Sequence, residues 1–252
     1  MLGHALALAL TLLGAPPVSI EAVPPVWLAD GRLAILANDG EETLWRLGQP
    51  GEPLVARRPF PPMADPQACW WSPRGDQVAY LARVEQRLTL YVGSLTQTAA
   101  TAFSVVGDLA RPVVAWSPDG ARLAFSRAAE PNSPLPYEVF VLGADGGGPM
   151  ARVAQPQPAL DICWDPTGER FAYVQAIDGV AGLFVTWLGE RRAVLCTPGV
   201  EALPGSLAWA PNGRRVSFSG SGDLRLGARL WLVRPDGLRP PEVLRTTGFV
   251  PP

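Results

Sequence analysis

The chain has 252 residues, of which 48% are hydrophobic and 17% charged, enough for one large all-β domain or two ordinary ones. The formal net charge is −2, and all 21 basic residues are arginines spread along the chain. Without a positive excess or a basic cluster, there is no electrostatic reason to expect binding to nucleic acid. The 26 glycines and 28 prolines fall between short apolar runs, which indicates many short strands.

Residues 1–20 are predicted to be a signal peptide or another apolar leader. The apolar run at 5–13 is too short to span a bilayer but fits the hydrophobic part of a secretory signal. The residues before this run include no lysine or arginine, so the α-amino group and His4 are the only groups there that could carry the positive charge typical of a secretory signal. An apolar first strand of a cytoplasmic protein is therefore the alternative. We expect a periplasmic or secreted protein with no integral membrane span. The first cysteine is Cys69, which excludes a lipid anchor at the leader.

A ten-residue pattern recurs along the rest of the chain. It reads WSPRGDQVAY at 71–80, WSPDGARLAF at 116–125, WDPTGERFAY at 164–173 and WAPNGRRVSF at 209–218, and a weaker copy, WLADGRLAI, begins at Trp27. The tryptophans of the four full copies are 45, 48 and 45 residues apart. A period of this length, with several apolar runs per unit, is typical of a β-propeller blade.

The pattern predicts a single β-propeller domain over residues 21–252, built from four-stranded antiparallel blades. Five repeats are counted, and the blades start near residues 23, 67, 112, 160 and 205. In each unit the first strand ends at the tryptophan, and Ser-Pro-x-Gly forms a tight turn in which glycine takes a conformation that a Cβ would forbid. Asp-Gly pairs such as Asp236-Gly237 join the third and fourth strands.

Two further sets of repeated residues have structural interpretations. The repeat tryptophans are predicted to fill the space between neighbouring blades, because each blade buries both faces. The arginines just after the turn glycine are predicted to be solvated strand ends. The tryptophans are Trp27, Trp71, Trp116, Trp164 and Trp209, and the arginines are Arg32, Arg122, Arg170 and Arg214.

The motif WSPDG followed by an apolar, a small and an aromatic position resembles the TolB-type propeller repeat, a WD-like repeat. Residues 116–125 match it in full, and the resemblance covers residues 23–247. The family implies six blades, a preceding α/β domain and an envelope role, whereas five units and about 20 preceding residues are counted here. A six-bladed ring with one degenerate or missing blade therefore stays open. We expect a five-bladed ring closed by residues 18–23 pairing with the last blade.

Motifs for catalysis or metal binding are not found. The only histidine is His4, in the leader, and no G-x-S-x-G elbow occurs. Cys69, Cys163 and Cys196 are odd in number and fit small buried thiols better than a disulfide or a metal site. Gln67 and Asp161 are the polar candidates to line the central channel, too few for a Ca²⁺ site. We expect no catalytic residues, no metal and no cofactor.

The loops that differ between units are the best candidates for binding a partner. The longest are proline-rich and span 57–67 and 127–138. Trp70 adjoins Trp71, so its side chain points to the opposite face of the strand.

The predicted function is a non-catalytic extracytoplasmic scaffold for a protein or peptide. One alternative is the gating propeller of a prolyl-oligopeptidase-type peptidase without its catalytic domain, and the other is a small-molecule or sugar-binding propeller. The candidate partner-binding residues are Phe60, Met63, Trp70, Tyr137 and Glu138.

Overall fold

The computed structural model describes residues 19–20, 26–28, 30–38, 43–49, 51–53, 55–57, 66–84, 87–94, 100–104, 113–129, 135–145, 149–190, 193–221 and 229–244. Within these residues the chain is all-β, as predicted. Five antiparallel sheets follow one another along the sequence, and each contains one copy of the tryptophan repeat. We number them blades 1 to 5 in chain order.

Three of the blades have four strands in simple up-and-down order. Their short connections follow from the turn residues placed between alternating apolar segments. The strands of blade 2 are β6 (Pro66–Trp71), β7 (Gln77–Val84), β8 (Arg87–Ser94) and β9 (Ala100–Ser104). Those of blade 3 are β10 (Val114–Trp116), β11 (Arg122–Ala128), β12 (Tyr137–Gly143) and β13 (Pro149–Gln155). Those of blade 4 are β14 (Ala159–Trp164), β15 (Arg170–Ile177), β16 (Val180–Trp187) and β17 (Val194–Leu195).

Blades 1 and 5 differ because their first strand is in two pieces, and both pieces pair with the next strand of the same blade. In blade 5 the pieces are separated by Pro204 and Gly205, which interrupt a ladder. Blade 1 contains β1 (Ser19–Ile20), β2 (Val26–Trp27), β3 (Leu33–Asn38), β4 (Thr43–Gly48) and β5 (Val55–Arg57). Blade 5 contains β18 (Glu201–Ala202), β19 (Ala208–Trp209), β20 (Val216–Ser221), β21 (Arg229–Val233) and β22 (Glu242–Val243).

The strand expected to close the ring pairs elsewhere. Ser19 and Ile20 lie opposite Asn38 and Ala37 in β3, within blade 1. The expectation that residues 18–23 pair with the last blade is therefore wrong for the part that the structure describes. Ala37 follows Ile20 closely along the chain, so this pairing costs less loop-closure entropy than pairing with the last blade.

The Ser-Pro-x-Gly turn forms as predicted. In blade 3 the N–H of Gly120 donates to the carbonyl of Ser117 at 2.8 Å, and the N–H of Arg122 donates to the Ser117 hydroxyl at 2.9 Å. The turn glycines have φ between 65° and 71°, a conformation that side chains disfavour. At Gly75 a Cβ would also lie 2.8 Å from the Cβ of Leu28, so space as well as φ requires glycine there.

The core lies between blades. Each of three buried clusters combines small and branched residues from one blade with aromatic residues from the next, which is how stacked sheets fill the space between them. Blade 2 contributes Leu81 and Leu90 against Phe125 of blade 3, blade 3 contributes Val139 and Val141 against Tyr173 of blade 4, and blade 4 contributes Val174 and Leu183 against Phe218 of blade 5.

Indole hydrogen bonds repeat between the same blades. Each indole N–H donates to the carbonyl of the residue just before the tryptophan of the preceding blade. The bonds run from Trp116 to Trp70 at 2.9 Å, from Trp164 to Ala115 at 3.0 Å, and from Trp209 to Cys163 at 3.0 Å. Trp71 packs on the blade 1 cluster around Leu28. Trp27 does not have the predicted inter-blade role, since its side chain is 61% exposed.

Candidate functional site

The candidate aromatic residues Trp70 and Tyr137 lie on the same cluster. Both are partly buried and pack against the core between blades 2 and 3. Trp71 packs on the opposite face of blade 2, against blade 1, so the two adjacent tryptophans do point in opposite directions. Tyr137 is the first residue of β12 and not part of a loop. The role of these two residues in partner binding stays a prediction.

Glu138 is not available to a partner, contrary to expectation. It lies in β12 opposite Arg127 of β11, and its side chain is only 4% exposed. The Arg127 guanidinium donates to the Glu138 carboxylate at 2.6 Å and lies over the Phe140 ring, 3.9 Å from its centroid. A buried carboxylate needs such a partner, so Glu138 has a structural role.

The remaining predicted positions divide into two groups. Phe60, Met63 and the side chain of Gln67 lie outside the described residues. Asp161 is half-buried, and its carboxylate accepts the backbone N–H of Gly205 at 2.8 Å. This hydrogen bond joins blade 4 to blade 5 and explains why a polar residue stands there.

The arginines after the turn glycine connect neighbouring blades, so the prediction that they are solvated strand ends is wrong for two of them. Arg122 of blade 3 donates to the carbonyl of Gly168 in blade 4, and Arg170 of blade 4 donates to that of Gly213 in blade 5, both at 2.5 Å. Arg170 also pairs with the nearly fully buried Asp165 at 3.1 Å. These bonds satisfy turn carbonyls at the boundary between blades 3 and 4 and at that between blades 4 and 5.

The thiols are unsuited to nucleophilic chemistry. Burial raises the pKa of Cys163 to about 11 and that of Cys69 and Cys196 to about 12. A thiol with so high a pKa is almost entirely protonated at neutral pH, whereas the thiolate is the nucleophile and the metal ligand. No group of three or more metal-ligating side chains occurs in the described part of the chain.

A cavity of about 570 Å³ lies between the turns of blades 4 and 5. Four guanidinium groups and one carboxylate line it, together with Trp187 and backbone of the blade 5 turn. Two of the arginines are paired: Arg170 with Asp165, and Arg215 with Glu242 at 2.8 Å. Among the described residues no carboxylate pairs with the side chains of the other two, Arg214 and Arg234.

A cavity of about 400 Å³ occupies the equivalent place between blades 2 and 3. Counting from each repeat tryptophan and through the strand register, Ala121 is equivalent to Arg214, Gly143 to Arg234, and Gln77 to Arg170. The blade 2–3 cavity is lined by two arginines and two aspartates, so its charges balance. The blade 4–5 cavity thus carries arginines at three positions where the same framework accepts neutral residues.

Comparison with solved structures places the chain in a known fold. It superposes on TolB from Acinetobacter baumannii with a TM-score of 0.56 and 16% identity, over 88% of this chain and 52% of that one. It superposes on a protein from Agrobacterium tumefaciens assigned as TolB with a TM-score of 0.53 and 19% identity, over 87% of this chain and 78% of that one. The chain has a TolB-like β-propeller fold.

Sequence identity this low, with a matching structure, shows that the chain shares the fold of these proteins. A eukaryotic initiation factor also matches, with a TM-score of 0.57 and 14% identity over 86% of this chain and 52% of that one. No family model matches the sequence, and no curated protein is significantly similar to it. The TolB-like propeller spans about half the length of Acinetobacter TolB. None of its described segments is a helix able to cross a bilayer.

The arginine cavity of the TolB-like propeller was missed by sequence reasoning. Arg214 was grouped with Arg122 as the basic residue that follows the turn glycine, although the ten-residue motif and the strand register both make Arg215 the equivalent of Arg122. The sequence signal was the Arg-Arg pair at 214–215, where the other full repeats have one basic residue or none. The third position, Arg234, lies 20 residues further along and reaches the cavity only through the pairing of β20 with β21.

Proposed function

We propose that the protein is a non-catalytic binding scaffold that engages a protein or peptide partner outside the cytoplasm. The observation that carries this proposal is the contrast between paired and unpaired polar groups. Polar side chains of the repeat, such as Asp161, Asp165 and Arg122, are paired with groups of their own or the next blade. The cavity between blades 4 and 5 instead presents arginines that the framework does not use.

The fold supports this function in a general way. Propellers use the turns and loops at the ends of their blades to bind partners, because the blades themselves are rigid and buried on both faces. One of the similar solved structures, with a TM-score of 0.50 and 14% identity over 77% of this chain and 59% of that one, is of a mitotic checkpoint complex. Fold alone does not choose the partner.

The proline-rich loops at 57–67 and 127–138 are proposed to extend the binding surface. Prolines keep a loop stiff, which lowers the entropy cost of binding. Tyr137, the first residue of β12, follows the prolines of the second stretch and is half-buried on the core between blades 2 and 3, so it would present a fixed aromatic side chain to a partner. The apolar run at 5–13 supports export.

The experiment is affinity capture followed by quantitative binding. The tagged full chain is used to enrich proteins from an envelope extract of the native host, and each candidate is then purified and titrated by isothermal calorimetry. The proposal predicts at least one protein that binds stoichiometrically. A candidate list in which nothing binds in purified form contradicts it, as does turnover of the captured molecule by the purified chain.

A further inference from the structure

The cavity between blades 4 and 5 is a candidate for direct recognition of carboxylate groups. We propose that this cavity, lined by Arg214, Arg234 and Trp187, binds an acidic peptide segment of the partner protein. The inference rests on the proposed function and specifies the chemistry of its ligand. It begins from the internal comparison, since blades 2 and 3 build the same cavity with Ala121 and Gly143 in place of the two arginines.

The two arginines are not required by the fold. The inter-blade hydrogen bond to the turn glycine is made by Arg170, and at the blade 3–4 boundary by Arg122. Arg214 is exposed, and only its backbone N–H has a structural role, donating to Asn212 Oδ1 at 3.0 Å. A guanidinium presents a planar fork of N–H donors that matches a carboxylate. Two such groups in one cavity can hold two acidic side chains, or one of them and a chain terminus.

The neighbourhood already favours a carboxylate. Glu242, at the outer edge of this region, has its pKa lowered, chiefly by its hydrogen bond to Arg215 and by the charge of that residue, with further lowering by Arg234 and Arg239. Among the residues that line the cavity, four arginines stand against the single carboxylate of Asp236, so the local charge is positive although the whole protein carries a net charge of −2. This overall charge opposes binding of a long polyanion, while a short acidic segment meets only the local field.

The cavity also offers an apolar surface. Trp187 is half-buried, and the guanidinium of Arg170 lies 5.8 Å from its ring centroid, which holds the ring in place. Pro235 also lines the cavity but is buried, so Trp187 supplies the accessible apolar surface. A free inorganic anion cannot use this surface. A peptide with an apolar residue next to its acidic ones can, and this favours a peptide as the ligand.

The test uses the full chain and a fluorescein-labelled peptide of glutamates and one tryptophan, with the glutamine analogue as a neutral control peptide. Binding is measured by fluorescence anisotropy for the wild type and for the double variant Arg214→Gln/Arg234→Gln. A matched control, Arg74→Gln/Arg229→Gln, removes the same charge from exposed positions elsewhere. We expect the acidic peptide to bind the wild type and the control, and to lose about tenfold or more in affinity for the double variant.

Three outcomes would overturn the assignment: equal binding by the double variant, an equal loss in the control, and displacement of the peptide by inorganic phosphate at a similar concentration, which would indicate a simple anion site. Failure of this proposal is separable from failure of the proposed function. A captured partner that binds the double variant as tightly as the wild type overturns the acidic-peptide site alone, whereas acidic-peptide binding without any protein partner overturns the scaffold function.

Discussion

Arg170 shows how one side chain can stabilise a blade boundary. Its guanidinium pairs with Asp165 within blade 4, donates to the carbonyl of Gly213 in blade 5, and lies 4.8 Å from the ring centroid of Trp209. Asp165 is nearly fully buried, and its carboxylate accepts hydrogen bonds from this partner and from N–H and hydroxyl donors of the turn. Removing a partner from a buried charge costs more than forming the pair contributes.

We therefore expect Arg170→Ala to lower the free energy of unfolding by about 3 kcal/mol, mainly because Asp165 is left unpaired. The matched control is Arg32→Ala, which breaks an exposed pair with Asp30 at 2.6 Å in blade 1 and should cost less than about 1 kcal/mol. Urea unfolding followed by tryptophan fluorescence measures both. Equal losses would mean that burial of the pair does not determine its contribution.

The buried thiol of Cys196 predicts a loss of stability in alkaline solution. Burial raises the pKa of Cys196 from 9.0 to about 12, so the unfolded chain loses this proton first. The contribution is fully present below pH 9.0 and is lost as the pH rises from there toward 12, by up to about 1.4 kcal/mol per pH unit. Cys196→Ala should show a shallower fall in unfolding free energy than the wild type between about pH 8 and pH 10.5. Parallel curves would contradict the assignment.

At the scale of elements, the repeat predicted the blades because every local feature agreed with the fold. Turn glycines, alternating strands and tryptophan spacing all indicate one structure. The aromatic pairs across the second and third strands, such as Tyr80 with Tyr91 at 5.2 Å between centroids, were not predicted, because the two residues belong to different apolar runs whose register the sequence does not show. The arginine cavity was missed for the same reason, since β20 and β21 must be paired before Arg234 is placed beside Arg215.

The indole hydrogen bonds also belong to this scale, and they depend on the neighbouring blade. Trp164→Phe should lower the free energy of unfolding by about 1–3 kcal/mol, because the half-buried carbonyl of Ala115 loses the donor that the buried indole supplies. Trp27→Phe serves as the control, since this side chain is 61% exposed, and should change stability by less than about 0.5 kcal/mol. Thermal or urea unfolding of the two variants decides the point. A similar loss in both would contradict an inter-blade role for the bond.

At the scale of the whole molecule, the first and last blades, 1 and 5, are less completely packed and hydrogen-bonded than the blade faces that pack against each other. Leu230 of blade 5 is 41% exposed, whereas its equivalents Leu90, Val139 and Leu183 are fully buried against the following blade. Arg46 Nε of blade 1 and Ser221 Oγ of blade 5 are the buried side-chain atoms without a hydrogen-bond partner among the described residues. A ring of five blades stays a prediction, and contact between these two blades would be its defining feature.

In the function proposed here, the polar side chains of the repeat are paired within the blades, and the partner binds at the turns, where it contacts the arginine cavity between blades 4 and 5. Hydrogen–deuterium exchange of the full chain, with and without the purified partner, tests this most directly. We expect slower exchange at 212–215 and 234–237 when the partner is bound, and unchanged exchange at the equivalent 119–122 and 143–145. Equal protection at both cavities, or no protection at either, would contradict it.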